Sequence, residues 1–157
     1  LKAVPAEAQK RAGYQFAKAL WLRKTGKLKD AAKVMAEAPQ DAASLIDPDA
    51  WWNERRILAR SLWDAGQTKL AYKTASMHAA QSPTSAAEAE FHAGWIALRA
   101  LKDPKLAEAH FTRLLSISTT PQSLSRGYYW LGRSIAASSR DPADAYHRTA
   151  HYGTTFY

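Results

Sequence analysis

Asp47-Pro48-Asp49-Ala50-Trp51-Trp52-Asn53-Glu54-Arg55-Arg56-Ile57-Leu58-Ala59-Arg60-Ser61-Leu62-Trp63-Asp64-Ala65-Gly66 spells out one helix from cap to stop. The Asp47 carboxylate is placed to accept from an orphan N–H of the first turn, and Pro48 fills the first helical position, where no N–H partner is needed. Gly66 supplies the left-handed residue that ends a helix. Between them Trp51, Leu58, Leu62 and Ala65 form one apolar stripe, with Trp52, Ala59 and Trp63 beside it.

The same punctuation runs outward in both directions. Asp103-Pro104, Thr120-Pro121 and Asp141-Pro142 repeat the Asp47-Pro48 logic, Ser85-Ala86-Ala87-Glu88 reads as a capping box, and Gly26 marks a stop like Gly66. These marks delimit about eight helices, at roughly 6–25, 27–38, 48–65, 67–81, 85–102, 104–118, 121–138 and 142–152. Phe91, Trp95 and Leu98 recur at helical spacing in the fifth, and Tyr128, Leu131 and Ile135 in the seventh. No stretch alternates as a half-buried strand does. The connection from Pro39 to Asp47 carries Ala42, Ala43, Leu45 and Ile46, so it is expected to pack.

The helices pair and the pairs repeat. Leu22, Gly26 and Ala31 return 40 residues on as Leu62, Gly66 and Ala71. Gly94, Asp103, Pro104 and Ala107 return 38 residues on as Gly132, Asp141, Pro142 and Ala145, and Phe91 as Tyr129. Two-helix repeats of this size predict an all-α solenoid, or superhelix, of antiparallel helix pairs. Gly94, Gly132, Ala71 and Ala107 are the small residues at which paired helices would approach closely. Trp130-Leu131-Gly132 makes the pattern tetratricopeptide-like, although the period exceeds that family's roughly 34 residues. The whole of 1–157 is expected to form one such domain.

Composition agrees. The 157 residues are 46% hydrophobic, with 32 alanines and seven each of glycine and proline, which excludes collagen-like, low-complexity and all-β classes. The absence of cysteine excludes disulfide frameworks, iron–sulfur sites and thiol nucleophiles. No apolar run approaches the roughly 18 residues that span a bilayer. The net charge of +8 favours acidic partners without choosing among them. The chain opens at Leu1 with no initiator Met and reads as part of something longer.

Candidate sites are few. On a helix Arg55 falls with Trp51 and Leu58, and Arg56 with Trp52 and Trp63. An arginine on an apolar stripe needs a carboxylate or backbone carbonyls. Glu88 or Glu90 is the expected carboxylate, in a structural ion pair. The functional alternative is a substrate-binding surface made by Trp51, Trp52, Arg55 and Arg56, which would stack on sugar or hold carboxylates. Tyr128, Tyr129 and Trp130 would form a platform or, more in keeping with three consecutive bulky residues, wedge between repeats. His147 and His151 are four apart, but Arg148 stands where the Glu of a zinc-protease motif would be, and no metal or other cofactor is expected. Glu7, Glu37, Glu54, Glu88, Glu90 and Glu108 lie among alanines and charges, where solvated faces and caps are expected, and no phosphate loop or nucleophile motif is present. The sharpest basic cluster is Lys18, Arg23, Lys24, Lys27, Lys29 and Lys33. A nucleotide code would need basic residues at a fixed repeat position, so no nucleic-acid partner is expected.

Taken in order, Arg23, Asp47-Pro48-x-x-Trp51-Trp52-x-Glu54-Arg55-Arg56-x-Leu58-Ala59-Arg60, Ala71-Tyr72, Ala89-Glu90-Phe91-x-Ala93-Gly94-Trp95, Tyr128-Tyr129-Trp130-Leu131-Gly132-Arg133 and Tyr152-Gly153-x-x-Phe156-Tyr157 resemble the superhelical region of bacterial soluble lytic murein transglycosylases. The resemblance spans nearly the whole chain. It implies a periplasmic protein whose helical superhelix, the U domain, precedes a lysozyme-like catalytic domain. That domain cleaves the β-1,4 bond between N-acetylmuramic acid and N-acetylglucosamine and leaves a 1,6-anhydro end. The partners implied are peptidoglycan glycan strands and the protein's own C-terminal catalytic domain. The family's catalytic glutamate stands in a Glu-Ser pair, and no Glu here is followed by Ser, so no catalytic residue carries over. The alternative is a tetratricopeptide-like adaptor for a protein partner.

Overall fold

The computed structural model describes residues 5–152, which divide along the chain into two compact units, the first ending at Gln81 and the second beginning at Ser82. The fold is all-α, and no strand occurs among the described residues. The first unit contains α1 (Ala6–Gln9), α2 (Ala12–Lys24), α3 (Leu28–Glu37), α4 (Ala42–Leu45), α5 (Pro48–Asp64) and α6 (Thr68–Ser76). The second contains α7 (Pro83–Ile96), α8 (Pro104–Ile117), α9 (Pro121–Ala137) and α10 (Ala143–Ala150). Gly153, Phe156 and Tyr157 of the final motif lie outside the described residues.

In the first unit α2 packs with α3 and α5 with α6, and α3 also touches α5 and α6. The stops repeat as the 40-residue shift predicts. The Gly26 N–H donates to Arg23 O (3.0 Å) and that of Lys27 to Leu22 O (2.9 Å), with Gly26 at φ +77°. Gly66 and Gln67 do the same to Trp63 O and Leu62 O (both 2.8 Å), with Gly66 at φ +73°. Each is a Schellman closure, in which a left-handed residue turns two N–H groups back onto the last open carbonyls. α9 closes in the same way through Ser139 at φ 56°, without a glycine.

The Asp-Pro and Thr-Pro starts hold at three sites. Asp47 accepts from Ala50 N (2.9 Å), Asp103 from Leu106 N (2.9 Å) and Thr120 from Ser123 N (3.2 Å). The fourth is shifted: Asp141 accepts from Ala143 N and α10 begins after Pro142. The expected capping box at Ser85 is corrected too. Ser82 caps α7 by accepting from Ser85 N, with Pro83 in the first turn.

Four elements depart from the expected boundaries, one of them α6, which ends at Ser76 and not at 81. The first helix breaks at Lys10–Arg11, where Arg11 turns extended; Gly13 just beyond weakens the continuous alternative. The Pro39–Asp47 connection contains α4, which buries Leu45 but leaves Ile46 86% exposed at φ 68° and ψ −53°. α7 passes into a π-helical turn, Ala97–Leu101, ended by left-handed Lys102.

In the second unit α8 packs against both α7 and α9, and α9 against α10. A Cβ on Gly94 would stand 2.8 Å from Phe111 Cε1, one on Gly127 2.6 Å from Leu114 Cδ2, and one on Gly132 2.5 Å from Tyr146 Cε1. Gly94 and Gly132 therefore serve the close approach the repeat predicted, and Gly127 adds one it did not. Ala71 and Ala107 are fully buried.

Candidate ligand-binding groove

α5 is covered by neighbours on most of its circumference, and that decides the fate of its aromatic and basic residues. Trp51 is 3% exposed and meets Phe16 edge-on at 5.2 Å; Trp52 is 1% exposed and meets His78 at 6.0 Å. Neither indole offers a face to a sugar, so the stacking surface expected from Trp51, Trp52, Arg55 and Arg56 is corrected: the first three are interior and Arg56 is half-buried. Glu54, also buried, takes a two-armed ion pair from Arg23 on α2, with Nη2 to Oε2 at 3.1 Å. The guanidinium accordingly holds its proton even more firmly than usual, chiefly through that hydrogen bond. This pair ties the first hairpin to the second.

Arg55 is 1% exposed, and its partners are carbonyls rather than the expected Glu88 or Glu90. Nη2 donates to Met35 O (2.7 Å) and Nη1, at a longer 3.4 Å, to Thr74 O. Both carbonyls belong to the last turns of their helices, α3 and α6. The donor four residues after Met35 would be Pro39, which has no N–H, so the Met35 carbonyl is left open for a side chain. The two helix ends also carry partial negative charge, which suits a cation. Arg55 thus clasps the ends of two helices at once. Burial still pushes its pKa down to about 10, so it stays charged at neutral pH, and its Nε has no hydrogen-bond partner.

The guanidinium forms part of the lining of a groove of about 420 Å³ between α3 and α6. The floor is Ala32, Ala36, Leu70 and Met77; the rim is Lys29, Lys33 and Lys73 with Glu37. All four rim side chains belong to exposed residues. Of the basic cluster read in the sequence, Lys29 and Lys33 reach the groove, Arg23 is used up by Glu54, and Lys27 lies 5.3 Å over the exposed Trp21 ring. Lys73 was missed. The signal was present, since the shift that carries Ala31 to Ala71 carries Lys33 to Lys73. Basic residues therefore do recur at fixed positions in the first unit, Lys29 with Lys69 and Lys33 with Lys73, which corrects the ground on which a nucleotide code was set aside.

The second unit gathers its polar groups elsewhere. Glu90, nearly buried, receives Arg113 Nε at 3.1 Å and lies 2.6 Å from His110 Nδ1. Phe91, Phe111 and Trp130 sit with ring centroids 6.1–6.5 Å apart, and the Arg126 guanidinium lies 4.5 Å over Phe91. Tyr128 and Tyr129 are half-exposed and stack or tilt against Tyr152 and Tyr146. His147 and His151 share a shallow depression with Arg148, which pairs with Asp144 at 2.9 Å. Among the described residues no three His, Cys, Asp or Glu side chains converge as a metal site would need.

No protein-family profile, curated protein or solved structure matches this chain.

Proposed function

We propose that this chain is a non-catalytic α-superhelical scaffold segment of a periplasmic soluble lytic transglycosylase. Its parent would cleave the MurNAc–GlcNAc β-1,4 bond of peptidoglycan, with the chemistry in a catalytic domain beyond this chain. The supporting observation is where the residues of the resemblance lie. Trp51, Trp52, Glu54, Arg55, Leu58 and Ala59 are buried, and Gly94 and Gly132 sit at close helix contacts. A shared motif built from such positions is a packing signature, which suits a scaffold and not an active site. Helix pairs that stack as repeats would offer a concave face to a strand.

Sedimentation with purified peptidoglycan tests the reading. The chain should co-sediment weakly and release no anhydromuropeptides. Absence of co-sedimentation would defeat it, and so would turnover by this chain alone. The groove on the first unit favours a second reading, a tetratricopeptide-like adaptor that takes a peptide from a partner protein. That reading predicts indifference to peptidoglycan in the same experiment.

A further inference from the structure

The groove between α3 and α6 is charged out of proportion to its size. Lys29, Lys33 and Lys73 ring it, Arg55 joins them from beneath, and Glu37 is the one carboxylate in its lining among the described residues. Four cations round about 420 Å³ repel one another when the groove holds only water. Arg55 adds a buried charge balanced by carbonyls alone. An anionic guest would relieve both. The floor of alanines, Leu70 and Met77 suits small methyl side chains, and the volume lies within the range of pockets that hold small ligands.

We infer that this groove seats the peptide stem of peptidoglycan. The inference rests on the peptidoglycan reading and names the part of that polymer the chain would grip. A tetrapeptide stem of alanine, γ-linked glutamate, diaminopimelate and alanine carries three carboxylates and one side-chain ammonium, between two methyl groups. The three rim lysines would take the three carboxylates and the rim glutamate the ammonium, with Arg55 beneath adding to the positive field. The lysine stems cover apolar surface while their heads stay in water, leaving them free to move onto the guest.

The test uses the chain as it stands and three probes in calorimetric titration: the tetrapeptide stem N-acetylated at its first alanine, the same stem with its carboxylates amidated, and glycan stripped of peptide. The stem should bind, the amidated stem should bind at least about tenfold more weakly, and stripped glycan should not bind. Lys33→Glu with Lys73→Glu, both at exposed positions, should cost at least about tenfold in stem affinity, and added salt should weaken the wild type. If whole peptidoglycan still co-sediments while the stem is silent or the lysine variants bind it as well as wild type, the groove assignment falls and the scaffold reading stands. If neither stem nor peptidoglycan binds, both fall. An unrelated peptide with three glutamates binding as tightly as the stem would overturn the stem as occupant.

Discussion

The two units solve the same problem with different materials. Each must lock two helical hairpins together using alanine-rich helices that carry little bulk. The first does it with ions: Arg23 grips Glu54, and Arg55 holds the carbonyls of Met35 and Thr74. The second relies more on shape: Gly127 lets α9 close onto α8 between the hairpins, Gly94 and Gly132 tighten each hairpin, and Phe91, Phe111 and Trp130 fill what remains, with the Arg140–Glu108 ion pair added at the surface. Directional bonds leave room between helices, and the groove of the first unit is that room. Ring packing buries Phe111 completely, and the second unit's own depression, about 690 Å³, lies away from the rings against Lys105, Glu108, Ala109, Thr112, Ser138 and Arg140.

Removing the charge from the first unit is the most severe way to break this contrast. Arg55→Met leaves two buried carbonyls without donors and should cost about 3 kcal/mol, read as a lowered urea midpoint and as faster amide exchange in α3, α5 and α6. Arg55→Lys, a point charge in place of a fork, should recover only part of it. The pH is no substitute for the mutation. The folded value near 10 lies below that of an ordinary arginine but still well above neutrality, so both folded and unfolded chains carry the proton throughout the neutral range. A wild-type midpoint in Arg55→Met would end the claim that ions hold this unit.

Filling a small position tests the second unit. Gly94→Ala forces a methyl against Phe111, which is fully buried and cannot swing away, and should cost about 2 kcal/mol. Gly132→Ala meets the ring of Tyr146, which is half-exposed and has somewhere to go, so about 1 kcal/mol is expected. Equal losses would mean that ring freedom does not decide the cost.

The smallest effects should be gains. Ile46 holds a positive φ with a β-branched side chain, in a γ-turn closed by the Asp47 N–H on Leu45 O (2.8 Å), and Ser139 holds a left-handed backbone at a Schellman position. Ile46→Gly should stabilise by about 1 kcal/mol and Ser139→Gly by about 0.5 kcal/mol in thermal unfolding. A loss at Ile46 would reveal a contact for this exposed side chain that outweighs its strain.

What could be read from residues alone follows from this chemistry. Helix starts at Asp47, Asp103 and Thr120 and stops at Gly26 and Gly66 are local events, settled within five residues, and they were legible. The stop at Ser139 was not, because nothing in a serine announces a left-handed backbone. Neither was the π-helical turn, which five unremarkable apolar and basic residues form. The candidate site was half legible. That Arg55 needed a partner followed from its place on an apolar stripe; that the partner was carbonyl depended on how α3 and α6 end. The groove joins residues from Lys29 to Met77, and only the 40-residue repeat linking Lys33 with Lys73 hinted at it.

Pro39 carries one more consequence, in the order of synthesis. It strips Met35 of its natural donor, and the replacement arrives twenty residues later at Arg55. A nascent chain that has emerged only as far as Leu45 holds both helices of its first hairpin and still lacks the group that finishes α3. That hairpin should fray at its far end on the ribosome and settle only when α5 follows it out, so its completion waits on the first helix of the next hairpin.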